Sequence, residues 1–547
     1  MKAHNQSSFC ARQAIAKPIE SSLLINYLSV KYRFRGNTDA FINACCTSMH
    51  IEPGILLVDL NNFARYPTLS IGYLAAVLRK ASKHVSVFAP LMLGVHGTTR
   101  EARPHRFSLS AAKLNHLAAS SKLAWVRSLR DRLSRHGLSG ITARHQEVVD
   151  GFAAHLATAK PQLVMISTYL MYRSLCEQIC VLCQAAGIPV LIGGPYFVQP
   201  EVIAEWVDMP GLSGLIVGEV ELDLPSIVQT VLSGGEVGQH AGVFTSAAEA
   251  KPKGKVAAPL KELDAVPFPD YSDFPWSAYP NRIVPVITGR GCGWGVCTFC
   301  SDVTSTAGRT YRSRSPTNVL GELTAHHRQH GVSRFVFTDM KLNSNVEMWR
   351  ALIGGMQGAA PGAEWIGAVH IGMEADNGLS SADLRAAAKS GCRRLTTGLE
   401  SGSQRVSDLM KKGTRLNAIS AFLQDSASAG ISTRCTMILG YPGETAQDVH
   451  ASADFLAKHA REIERVSLNR LQVITGTTLH RELKRAPAKF KGFSIVREDN
   501  AMAQVEHRNE TIGTASHRKG VMRLLAEVHR INSRELRLSA REFEGVM

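Results

Sequence analysis

Nothing in this sequence is patterned to cross a membrane. No uninterrupted apolar run reaches the roughly 18 residues of a spanning helix. The first residues lack the apolar core of a secretory signal, so the expected location is the cytoplasm. The 11 cysteines are odd in number and irregularly spaced, which fits a reducing compartment and excludes a regular disulfide framework. Zinc-finger and helix-turn-helix signatures are missing, as is any interleaving of aromatic with basic residues, so nucleic acid is not an expected partner. The net charge of +16 is spread along the chain. Its densest stretch, Arg127, Arg130, Arg132 and Arg135 with Lys113 and Lys122 before it, reads as a solvated helical face. No internal repeat is found. What remains is a chain of 547 residues with globular composition, long enough for two or three domains.

Three cysteines stand out. Cys292, Cys297 and Cys300 lie in Thr288-Gly-Arg-Gly-Cys-Gly-Trp-Gly-Val-Cys-Thr-Phe-Cys300, directly after the apolar run Ile283 to Ile287. Glycines let such a loop fold back on itself, so three thiolates can converge. A structural zinc site usually takes four protein ligands, and no fourth cysteine or histidine lies nearby. Three thiolates together point instead to a metal cluster with one open position. Isolated buried cysteine is the competing reading.

A second triplet, Cys176, Cys180 and Cys183, also follows an apolar run, Leu163 to Ser167. Leu175 to Ala186 contains no glycine or proline and reads as helix. Along a helix the first and last sulfurs start about 10 Å apart, too far for one cluster. Spacing of i, i+4, i+7 is the pattern of a buried helical face, so these cysteines are assigned to the core.

The rest of the chain alternates short apolar runs with helical stretches, which predicts α/β architecture in two units. Residues 281–475 supply six β-units: Ile283–Ile287, Arg334–Thr338, Trp365–Ile371, Arg394–Gly398, Arg434–Leu439 and Val466–Val473. Six parallel units with right-handed crossovers suggest a partial (β/α)6 barrel, with chemistry at the carboxyl ends of the strands. Asp339, Glu400 and Ser401 fall at such ends, and Arg434 begins the fifth strand. Residues 54–235 read as a doubly wound, Rossmann-like sheet, with a helical insertion at about 96–150. Its candidate ligand contacts are Gly193, Gly194, Gly218 and Glu219. Residues 1–53 form an extension, 236–280 a linker, and 476–547 a basic, partly helical region expected over the barrel mouth.

The Cys-Gly-Trp-Gly-Val-Cys-Thr-Phe-Cys loop resembles the cluster motif of radical S-adenosylmethionine enzymes, in a spacing variant similar to that of cobalamin-dependent members. Thr397-Gly-Leu-Glu-Ser-Gly-Ser403 and Gly440-Tyr-Pro-Gly-Glu-Thr445 resemble the same branch. The resemblance covers about 280–475. It implies a 4Fe–4S cluster on Cys292, Cys297 and Cys300, with S-adenosylmethionine on its open iron. It places Phe299 against the adenine, Asp339 near the methionine amino group, Glu400 and Ser401 on the ribose and amino acid part, and Arg434 on the carboxylate. The N-terminal ordering is similar to a cobalamin-binding domain, although the Asp-x-His-x-x-Gly signature of a cobalt-ligating histidine is absent. The implied activity is methylation of an unactivated carbon in a peptide, lipid or other small-molecule substrate, with an electron donor such as flavodoxin or ferredoxin. Two alternatives stay open: a non-methylating radical rearrangement, cyclisation or oxidation, and a cobalamin-binding sensor without catalysis. For Glu444, turning the chain and capping a helix is an equal alternative to function.

Overall fold

In the computed structural model, residues 54–546 are described apart from 61–64, 97–102, 106, 122, 124, 131–138, 251–254 and 302–310. The N-terminal sheet is built from β1 (Ile55–Asp59), β2 (Val85–Phe88), β3 (Leu163–Ser167), β4 (Val190–Gly193), β5 (Gly214–Ile216) and β6 (Val243–Phe244). β1 and β3 are buried along their whole length. Such runs are apolar throughout because helices cover both faces of a parallel sheet. The order is β2-β1-β3-β4-β5-β6, parallel except for β6. This is the 2-1-3-4-5 variant of the doubly wound fold, whose switch point lies between β1 and β3. Asp59 and Ser167 end those two strands in register. The edge strand β6 comes from the stretch expected to be linker.

The Ser139–Ala159 helix completes the β2-to-β3 crossover and lies partly within the expected insertion. The Arg173–Ala185 helix carries Cys176, Cys180 and Cys183, all 0% exposed and packed with Leu175, Ile179 and Trp206. Burial pushes each of these thiols up to about 12.

The second sheet contains β7 (Val284–Val286), then a small hairpin of β8 (Gly289–Arg290) and β9 (Arg312–Ser313). β10 (Arg334–Phe337), β11 (Glu364–Val369), β12 (Cys392–Glu400), β13 (Ser432–Leu439) and β14 (Ile463–Arg470) follow. The order β14-β13-β12-β11-β10-β7 is parallel throughout. Six β-units form the partial barrel, and among the described residues no ladder joins β14 to β7. Caps start its helices locally: Ser380 with Asp383 and Thr445 with Asp448 make reciprocal capping boxes.

The two sheets share a continuous apolar core that includes Leu57 and Leu163 of the first and Phe335 and Leu395 of the second. Residues 236–280 act as a strap. Tyr271 is fully buried, presses on Gly72 and donates its hydroxyl to the Pro285 carbonyl at 3.1 Å. Asp270 pairs with Arg79 at 2.6 Å.

The C-terminal region divides its work. The Thr478–Arg485 helix and the sheet of β15 (Val473–Ile474), β16 (Phe493–Asp499) and β17 (Gln504–Asn509) stand near the cysteine loop. The Ala515–Asn532 helix packs outside β14 and the Ala446–Lys458 helix. Phe543 and Val546 meet Ile283, Val336 and Ile366 at the opposite, amino end of the strands. There Arg394 donates to the Phe543 carbonyl at 3.4 Å, and Arg465 pairs with Glu544 at 3.2 Å. The tail is a floor to the barrel. Phe543→Ala is expected to cost about 3–5 kcal/mol in urea denaturation, the usual penalty for a deleted core phenylalanine. A loss below about 0.5 kcal/mol, typical of surface changes, would show that the tail is no part of the core.

Candidate functional site

The cysteine loop leaves the carboxyl end of β7 and is fixed at its first residues. Asp339, just after β10, accepts from the Thr288 amide and hydroxyl (3.0 and 2.7 Å) and from the Gly289 amide (3.0 Å). Burial raises this carboxyl to about 6, against the opposing pull of those donors. Asp339, expected near a ligand, has both carboxylate oxygens engaged by the loop in this structure. Within the loop Cys297 is buried, and Cys292 and Cys300 are half-buried. Among the described residues no three His, Cys, Asp or Glu side chains stand close enough to share one metal ion. A cubane cluster takes its cysteine ligands on separate irons, and the three thiols of this loop are a donor set of that kind.

A clasp formed by residues 409–413 grips the loop from the β12 side. The Met410 carbonyl accepts from the Thr298 amide at 3.0 Å, and the Lys411 carbonyl accepts from Trp294 Nε1 at 3.0 Å. Gly413 lies at φ +64°, and a Cβ there would collide with the Trp294 ring. Trp294 stacks on His370 with centroids 5.7 Å apart, while His370 Nε2 donates to the Lys412 carbonyl at 2.8 Å. Burial pushes the His370 imidazole down to about 4, helped by the nearby Lys412 charge. The Thr298 hydroxyl meets the Tyr441 hydroxyl at 2.6 Å, and the Thr298 carbonyl accepts from the Leu479 amide at 2.8 Å.

Glu400 ends β12 at φ +57°, a conformation costing a non-glycine residue on the order of 1–3 kcal/mol. A bulge against β13 accompanies it. Its Oε1 accepts from Lys412 Nζ at 3.3 Å and from the Thr436 hydroxyl at 3.4 Å. Lys412 lies in electrostatic range of Cys297 and Cys300 as well as Glu400. Glu400 is therefore at the mouth as expected. The Ser401 hydroxyl accepts from the Ser403 amide at 3.2 Å and contacts Ser452, which shapes the turn behind the strand. Glu444 is a turn residue, accepting from the Gly440 amide at 2.6 Å. Arg434 shares the inward face of β13 with Thr436, two residues or roughly 7 Å deeper. Phe299 is half-buried against an apolar group including Met410, Tyr441 and Leu479.

The N-terminal candidates each have a local structural part. A Cβ on Gly194 would collide with the Thr168 carbonyl, so this glycine serves a backbone approach between loops after β3 and β4. Gly193 is in register with Ile216. Gly218, at φ +97°, is backed by Ala257. Glu219 is a latch. It takes two bonds of 2.7 Å from Arg312 and one of 3.0 Å from the Leu260 amide, and it pairs with Arg290 at 3.1 Å. Glu221 takes the other arm of Arg290 at 2.8 Å. Burial alone would raise the Glu219 carboxyl; the hydrogen bonds from Arg312 and the Arg290 charge more than offset it and hold it below the ordinary value. Arg290 and Arg312 flank the cysteine loop on β8 and β9. Sequence reasoning missed Lys412, His370 and the clasp. Only the Met-Lys-Lys-Gly run after the Glu400 motif could have pointed there.

Comparison with known proteins bears on this geometry. Residues 286–456 match the family model of the Radical SAM superfamily. An uncharacterized methyltransferase of Pyrococcus horikoshii is 27% identical over 277 residues, 49% of this chain and 58% of that protein. A protein of Methanocaldococcus jannaschii named as a methylthiotransferase is 26% identical over 284 residues, 49% and 57% respectively. The match therefore spans under two thirds of these relatives' length. Among solved structures, the radical S-adenosylmethionine methyltransferase TsrM of Kitasatospora setae, with cobalamin and a 4Fe–4S cluster, superposes with TM-score 0.58 at 14% identity. It covers 87% of this chain and 91% of that one. The cobalamin-dependent S-adenosylmethionine radical enzyme OxsB, with aqua-cobalamin and S-adenosylmethionine, gives TM-score 0.63 at 15% identity, covering 91% and 70%. At these identities the likeness is one of fold. Among the described residues no helix is long and apolar enough to cross a membrane.

The exposures predict thiol reactivity. In native protein without metal, alkylation mapped by peptide mass should label Cys292 and Cys300 well before Cys176, Cys180 or Cys183, whose high thiol pKa leaves little thiolate. Equal labelling of both triplets would contradict this burial pattern.

Proposed function

We propose that the chain is a cobalamin-dependent radical S-adenosylmethionine enzyme that methylates an unactivated carbon of a small-molecule or peptide substrate. One observation carries the reading. A loop with three cysteines stands at the carboxyl end of a six-stranded parallel barrel and is tied by its flanks, through Glu219 and Glu221, to a 2-1-3-4-5 sheet. When bound, a 4Fe–4S cluster supplies the electron that cleaves S-adenosylmethionine, and a corrinoid supplies the carrier for the transferred methyl group.

The chain's own residues set the frame for that chemistry. Cys292, Cys297 and Cys300 are the ligands. Asp339 holds the loop's entry, and the 409–413 clasp holds its middle. Trp294 and Phe299 give the loop apolar walls, and His370, kept neutral by burial, adds no charge beside it. Glu400 and Thr436 face the same space, with Arg434 below them, placed to meet the polar groups of S-adenosylmethionine. A site bounded by two domains and a floor of Phe543 and Val546 also restricts water, which a reactive carbon species requires. The switch point between β1 and β3, lined by Asp59, Thr68, Ser70 and Ser167, is where a doubly wound sheet of this order takes its ligand. The sequence likeness to proteins named as a methyltransferase and a methylthiotransferase, and the fold likeness to TsrM, named as a methyltransferase, support methyl transfer over rearrangement or sensing.

Anaerobic reconstitution with iron, sulfide and hydroxocobalamin tests the reading. Alanine at Cys292, Cys297 and Cys300 should remove the 4Fe–4S absorbance and S-adenosylmethionine cleavage. Alanine at Cys176, Cys180 and Cys183 should leave both. With substrate, the products should include S-adenosylhomocysteine together with 5′-deoxyadenosine; 5′-deoxyadenosine alone would favour a non-methylating reaction. A protein that retains no corrinoid would remove the cobalamin assignment.

A further inference from the structure

Lys412 is not needed to build the clasp through its side chain. The clasp uses the backbone carbonyls of Met410, Lys411 and Lys412 and the bare Cα of Gly413. The neighbouring Lys411 is exposed to water, yet the Lys412 side chain turns inward and is only 12% exposed. Its ammonium lies over Gly398, where a Cβ would fall 2.5 Å from Nζ and would also collide with Glu400 Oε1. Burying a lysine is costly unless an opposite charge compensates it. Glu400 supplies one such charge, at 3.3 Å, but shares its Oε1 with Thr436. Cys297 and Cys300 also lie in electrostatic range of the ammonium.

We propose that Lys412 is the resident counter-cation of the cluster bound by Cys292, Cys297 and Cys300, and that Glu400 partly neutralises it and so sets the cluster's reduction potential. This rests on the cluster assignment made above. Adding one electron to a cluster held by three thiolates adds negative charge to a site shielded from water. A fixed cation there stabilises the reduced form more than the oxidised one and raises the potential. The carboxylate of Glu400 acts in the opposite sense. The strained φ of Glu400 and the open space at Gly398 keep the pair in place; a side chain at 398 would displace it.

The two members of the pair give opposite expectations. Reconstituted protein, free of S-adenosylmethionine, is titrated anaerobically with dithionite, with the reduced cluster followed by electron paramagnetic resonance and iron content measured in each variant. Lys412→Gln should lower the reduction equilibrium constant at least tenfold, about 59 mV for one electron. Glu400→Gln should raise the midpoint, and Lys412→Arg should stay near the unsubstituted protein. An unchanged midpoint in Lys412→Gln at full iron content overturns the proposal, because a purely structural lysine would alter cluster content and not potential. If Lys412→Gln fails to assemble a cluster, Glu400→Gln decides: an upward shift supports the proposal, and no shift or a downward one overturns it. A missing cluster signal in the unsubstituted protein would instead remove the cluster assignment itself.

Discussion

The arrangement turns on four charges: Glu219 and Glu221 on one side, Arg290 and Arg312 on the other. Both arginines belong to the short hairpin that brackets the cysteine loop, and both carboxylates belong to the turn after β5 of the first sheet. A paired arginine fork fixes distance and angle together, which a single contact cannot. The loop's position is thus set by a domain that holds none of its cysteines. Breaking one partner would leave a partly buried charge uncompensated, so the latch is cooperative in the sense that it holds as a set or fails as a set.

Around that anchor the loop is gripped at three further points. Asp339 closes on its entry, the 409–413 clasp on its middle, and Leu479 on Thr298 near its end. These contacts come from three different parts of the chain. Rigid support of this kind is what a cluster site needs, since ligand placement and the surrounding charges together tune a metal centre. Local strain at Glu400 is sustained by its pairing with Met437 of β13 and by the bonds its carboxylate takes from Lys412 and Thr436.

Much of the architecture was legible in the sequence because buried parallel strands are apolar runs, and runs such as Leu163 to Ser167 announce themselves. The core placement of Cys176, Cys180 and Cys183 was legible too: helical periodicity assigned them to a buried face, where they lie fully buried. Residue roles were less legible. Asp339, Ser401 and Glu219 stand where polar residues were expected, but each is consumed by the protein's own backbone or by arginines. A strand end needs polar groups both to fix its loop and to meet a ligand, and sequence alone does not divide the two uses. Lys412 was invisible for a related reason. Its neighbour Lys411 has the same side chain and points to water, and only tertiary packing separates them.

The floor formed by Phe543 and Val546 has a consequence for biosynthesis. Ile283 and Val336, which it covers, emerge from the ribosome some two hundred residues or more before it. Because domains generally fold as units in order of synthesis, the first sheet can form while the barrel is still open underneath. Until the tail arrives, the inner face of the strands stays wet. The thiols of the loop would meanwhile be displayed on an unfinished scaffold. Closure of the barrel base by Phe543 and Val546 therefore comes late in synthesis relative to the strands it covers.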